Sequence, residues 1–193
     1  MYNCYMMTLS ILLCAAVLFC TNGQPEVHRL VQTDHEGREI AMDVIHDPQD
    51  KTVMAVIGDV SKYEDGVQTV NFHDYNSGYG VLKNINRRIC IMTKTPISMA
   101  TAEEYRIGYT TEVHEHLLKN FEVIPTYENV LDIAGPKVAT FCRDYTTVGA
   151  DPTPIRINKR AATGKRRPKR ATWCVFTKCV YRQDELDRAI EKD

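Results

Sequence analysis

No Gly-x-Ser-x-Gly turn, no phosphate-binding glycine loop and no Cys-x-x-Cys pair occurs in the 193 residues. The usual sequence signs of a serine hydrolase, a nucleotide-binding fold and a thiol redox site are therefore missing. No internal repeat is present either. The nearest approach to a metal-binding pattern is His114-Glu115-His116. Histidines at i and i+2 share a face of a strand but not of a helix, and this stretch is expected to be helical. It is taken as a surface helix. No catalytic residue, metal, cofactor or nucleic-acid partner is expected.

A second absence is local. Between Ile155 and Arg182 there is no acidic residue, while the same stretch holds ten lysines and arginines. The formal net charge of -1 hides this asymmetry, because an acidic body offsets a basic tail. Two sites in the tail match pairs of basic residues cut by a proprotein convertase: Lys159-Arg160, and Arg167 followed by Lys169-Arg170. A short apolar segment with two cysteines comes next, Trp173-Cys174-Val175-Phe176-Thr177-Lys178-Cys179-Val180-Tyr181-Arg182.

The N-terminus carries a nearly unbroken apolar run from Met6 to Cys20, followed by Thr21-Asn22-Gly23. A short apolar core ending in small residues fits a secretory signal peptide cleaved after Gly23, and so a secreted product. The other reading is a membrane anchor, for which a full span takes about 20 apolar residues. With Cys4, Cys14 and Cys20 removed, four cysteines remain: Cys90, Cys142, Cys174 and Cys179. In an oxidising compartment this even set favours disulfides, with three possible pairings.

Five β-prone runs lie in the body: 39–45, 52–57, 67–72, 78–82 and 88–92. Short turn-rich connections between them imply an antiparallel meander. Beyond Pro96 the pattern becomes helical. Thr101 and Glu104 make a capping box, 112–119 is helix-friendly, and a helix through 128–133 should stop at Gly135-Pro136. A further helix at 137–143 would carry Cys142. The expected layout is a signal peptide at 1–23, a flexible segment at 24–37, a folded domain at 38–145, a linker at 146–160 and a peptide region at 161–193.

The order of three motifs in the folded domain resembles a BRICHOS domain. They are Val70-Asn71-Phe72-His73-Asp74-Tyr75, Gly78-Tyr79-Gly80-Val81-Leu82 and Arg88-Ile89-Cys90-Ile91-Met92, with Phe141-Cys142-Arg143 near the domain's end. The resemblance implies an α+β fold, a small antiparallel five-stranded sheet flanked by helices. It implies a Cys90 to Cys142 disulfide and makes Asp74 the family's characteristic carboxylate; the residue-level alternative for Asp74 is a hydrogen-bonded structural carboxylate. It also implies intramolecular binding of a β-prone client, which would otherwise expose strand edges that aggregate. The tail is similar to the β-hairpin antimicrobial peptides of marine worms made from such precursors, the arenicin and nicomicin group.

A Cys174 to Cys179 bond would close a six-residue ring with Phe176-Thr177 at its turn, a poor turn pair because neither residue favours positive φ. Cutting after Arg160 and trimming past Arg182 leaves 161–182, with seven basic residues and no acid. The basic residues suit anionic bacterial membranes. Trp173, Val175, Phe176, Val180 and Tyr181, with Lys178 and Arg182, form the expected membrane-active set. Cutting after Arg170 instead leaves 171–193, with four basic and five acidic residues. That product fits the alternative of a cyclic signalling hormone with a somatostatin-like or urotensin-like ring.

Overall fold

The computed structural model describes residues 24–33, 37–61, 66–95, 97–98, 100, 114–154, 170–174 and 177–192. Of 114, 170–174 and 177–178 only the backbone is described. Five strands stand where the meander was expected: β2 (Glu39–Asp47), β3 (Thr52–Ile57), β4 (Val70–Asp74), β5 (Tyr79–Asn84) and β6 (Ile89–Lys94), each antiparallel to the next. In β2 the side chains of Ile40, Met42, Val44 and His46 are buried and those between them are not, the period-two pattern of a strand with one covered face.

The sheet does not stop at five strands, and the expected small sheet flanked by helices is overturned. It has ten strands in the order β1-β2-β3-β4-β5-β6-β8-β7-β10-β9. The additions are β1 (Glu26–Thr33), β7 (His114–Ile124), β8 (Thr146–Pro154), β9 (Arg170–Cys174) and β10 (Thr177–Tyr181). The sheet is mixed, because β6 with β8 and β7 with β10 are parallel pairs. Thus the segment expected to be a flexible entry contains an edge strand paired with β2 along its whole length. Residues 146–154, expected as linker, are an internal strand.

The helix expected at 112–119 is also corrected, since 114–124 is β7. This strand has β8 on one side and β10 on the other, and Glu115, His116 and Leu118 are all buried. Glu115 and His116 are consecutive and both buried, and a bulge interrupts the alternation further along, so no clean period-two pattern marks the strand. A register shift between Lys119 and Glu122 marks a bulge. Asn120 takes the positive φ there, and its Nδ2 donates to Asp151 Oδ2 at 2.9 Å.

Two helices with defined bounds cover the sheet. Helix α1 (Tyr127–Cys142) is capped by Thr126, whose side chain accepts from the Asn129 amide. It is broken at Gly135, where φ is 83°, at the Gly135-Pro136 stop expected from sequence. Its Val130, Ala134, Val138 and Ala139 pack on Val81, Cys90 and Met92. Helix α2 (Gln183–Ile190) lies against the opposite face, where Leu186 joins Leu82, Ile89, Leu118, Val148 and Tyr181. A further apolar cluster on that face runs through β2 and β3, from Ile40 to Ile57. Thr101 and Glu104 lie outside the described residues.

Candidate functional site

The tail segment is built into the sheet. Strand β10 lies parallel to β7, from Thr177 opposite His114 to Tyr181 opposite Leu118. Strand β9 pairs antiparallel with β10 and forms the sheet's last strand. Three side chains of β10 are buried: Cys179, Val180 and Tyr181. The Tyr181 ring meets Phe121 of β7 edge-on, with centroids 6.3 Å apart. The hairpin is therefore a pair of strands on a larger sheet, and its Cys179 and Tyr181 join an apolar cluster of the body.

The hairpin register differs from the expected one. Cys174 lies opposite Thr177, and Cys179 lies opposite Thr172. The connection is thus Val175-Phe176, one residue earlier than the Phe176-Thr177 turn. Cys179 is disulfide-bonded; the side chain of Cys174, its expected partner, lies outside the described residues. In the body, Cys90 of β6 is bonded to Cys142 at the end of α1, with Cα atoms 5.8 Å apart.

The remaining expected site residues are placed as follows. Gly23, Lys159, Arg160, Arg167, Lys169, Val175 and Phe176 lie outside the described residues. Arg170 is the first residue of β9, opposite Tyr181. Trp173 and Lys178 face each other in register, their side chains not described. Val180 and Tyr181, expected to meet a membrane, are buried in the intact chain. Arg182 bonds Asp184 through Nε at 3.2 Å and Glu185 through Nη1 at 2.8 Å. These partners hold the Arg182 guanidinium above its ordinary pKa and the Asp184 carboxyl below its own, the Arg182–Asp184 hydrogen bond being the first cause of both.

Asp74 ends β4 and opens the β4–β5 turn. Its Oδ1 accepts from the Asn76 amide at 3.0 Å, and its carbonyl accepts from the Gly78 amide at 2.9 Å. The carboxylate closes an Asx turn. Its neighbour His73 is fully buried, and burial pushes its pKa down to about 4. Among the described residues, neither His73 ring nitrogen has a hydrogen-bond partner.

Two features were missed by sequence reasoning. The acidic extension 183–193 contains an amphipathic helix, and its signal was Leu186 and Ile190 at a spacing of four. Arg87, in the β5–β6 turn, pairs with Asp187 of that helix at 2.6 Å. Among the described residues, no three His, Cys, Asp or Glu side chains are grouped to hold a metal ion. No described helix is long and apolar enough to cross a membrane. The chain matches no protein-family model, no curated protein and no solved structure. The BRICHOS and arenicin resemblance thus rests on the motifs and their order.

Proposed function

We propose that this chain is a secreted precursor of a cationic, disulfide-closed antimicrobial peptide that acts on anionic membranes. Its body serves as a BRICHOS-like proregion in function, carrying the β-prone peptide until a proprotein convertase acts. The observation that carries this reading is the parallel addition of β10 to β7. Strand addition satisfies the backbone of a segment that would otherwise offer open edges, and it hides Val180 and Tyr181 within the sheet.

The peptide 161–182 joins seven basic residues to the apolar ring. Each contributes about 1 kcal/mol near an anionic leaflet. The hormone alternative needs a cut after Arg170, but that residue is paired within the sheet, so its bond must be unzipped before cleavage. Lys159-Arg160 lies in the sequence between β8 and β9, outside the described residues.

Mass spectrometry of the secreted material fixes the ends, and synthetic 161–182 is then added to anionic and zwitterionic vesicles. The expected product begins at Ala161 and causes leakage of the anionic vesicles, weakening as salt rises. A product beginning at Ala171 supports the hormone, and no leakage from anionic vesicles overturns the antimicrobial reading.

A further inference from the structure

We infer that the acidic helix α2 is the anchor that holds the tail in the sheet, and that β7 with the β5–β6 turn forms a binding site for a strand followed by an acidic helix. This site keeps the tail bound after the chain is cut upstream of the hairpin. The inference rests on the precursor reading above and specifies how the client is retained and released.

The topology sets the problem. Both basic processing sites fall between the end of β8 at Pro154 and the start of β9 at Arg170, so Arg170 is the last residue of the second site. A cut there severs the backbone on the hairpin's N-terminal side only. The β7–β10 ladder and α2 are left in place. The body's Cys90 and Cys142 are bonded to each other and place no covalent hold on the tail.

The packing shows what remains as anchor. Leu186 of α2 is 1% exposed, between Leu118 of β7, Ile89 of β6 and Tyr181 of β10. Ile190 packs one turn further along the same cluster. The ion pair from Arg87 to Asp187 ties the helix to the β5–β6 turn, and Lys119 and Glu122 of β7 line a groove with Glu185, Arg188 and Lys192 beyond them on the side of α2. The helix thus offers an apolar stripe to the sheet and the Asp187 carboxylate to Arg87.

The junction is closed as well. The Arg182 carbonyl accepts from the amides of Glu185 and Leu186, and its side chain is held by Asp184 and Glu185. A protease must bind several residues in extended form to cut after Arg182, so α2 has to unwind first. That one cut separates the seven-charge peptide from its acidic anchor. Release therefore runs in order: upstream cut, helix unwinding, cut after Arg182.

The test uses the secreted full chain, treated with a dibasic-specific endoprotease and its cut sites confirmed by mass. The tail is expected to co-elute with the body on native size exclusion and to separate only in denaturant. Unlabelled 161–193 should displace a labelled tail at least tenfold more effectively than 161–182. Leu186→Asp should speed tail loss at least tenfold. Asp187→Lys reverses a partly exposed ion pair and removes the Gln183 hydrogen bond to the same carboxylate; it should speed loss severalfold, and adding Arg87→Glu should restore retention. A tail that leaves the unmodified body on the upstream cut, or 161–182 competing as well as 161–193, overturns the inference. Neither result bears on vesicle leakage by 161–182, which tests the precursor reading separately.

Discussion

Gly80 of β5 lies directly opposite His73 of β4, and the imidazole fills the space where a side chain at Gly80 would stand. A β-carbon there would sit 2.7 Å from His73 Nδ1 and 2.8 Å from its Cε1. The ring is fully buried, so it can move only by displacing other packed groups. Gly80→Ala is therefore expected to destabilise the chain by about 1–3 kcal/mol, the range for overpacking a filled core. Urea unfolding measures it. In a His73→Ala background the same change should cost at least about 1 kcal/mol less, because the clash partner is gone. Equal costs in both backgrounds would remove His73 as the reason for glycine.

The same histidine sets an acid limit. Its pKa is about 4 when folded, against about 6.5 in an unfolded chain. The unfolded state therefore binds the proton more readily. Stability is complete above pH 6.5 and declines as pH falls towards 4, by about 3 kcal/mol in all. Asp74 adjoins the ring in sequence and Tyr75 stacks on it at 6.2 Å. Urea midpoints at pH 7.5, 5.5 and 4.5 should fall in that order. In His73→Gln the decline over this window should flatten; an unchanged slope assigns it to other groups.

Asp74 is expected to act through its turn rather than its charge. Asparagine keeps an oxygen that accepts from the Asn76 amide, so Asp74→Asn should stay within about 0.5 kcal/mol of the native chain. Asp74→Ala loses that hydrogen bond and should cost about 1 kcal/mol. Thermal unfolding of both variants checks the order. A large loss in Asp74→Asn would restore a role for the carboxylate charge.

The meander was legible because β2 and β3 keep one buried face and β4 to β6 are short β-prone runs with turn residues between them. The break in α1 was legible because Gly135-Pro136 stops a helix wherever it packs. Strand β7 was not, since its pairing partners β8 and β10 are remote in sequence. Strand β8 carries Pro152 and Pro154, which argue against a central strand. Both prolines lie beyond Gly149, the last residue paired with β6, and there, among the described residues, β8 pairs with β7 alone. Strand β1 was hidden by its polarity, which suits an edge. The expected processing residues are a pattern in the sequence, and of those in the tail only Arg170 is among the described residues, where its place in β9 depends on the docking of β10. Nothing local to the tail encodes that docking.

The disulfide between Cys90 and Cys142 closes a loop with a sequence separation of 52 residues. Strand β7 lies inside that loop, so the bond restricts the segment on which β10 docks. On the chain-entropy model a loop of this size stabilises the fold by about 4 kcal/mol. Replacing both cysteines with alanine removes the constraint without leaving a lone thiol. The urea midpoint should fall by the equivalent of about 2–4 kcal/mol. Hydrogen exchange supplies the local reading. The amides of Cys179, Val180 and Tyr181 should lose protection together with those of β7, because β10 is held by that strand and by α2. If β10 kept its protection while β7 lost it, the hairpin would be held by α2 alone.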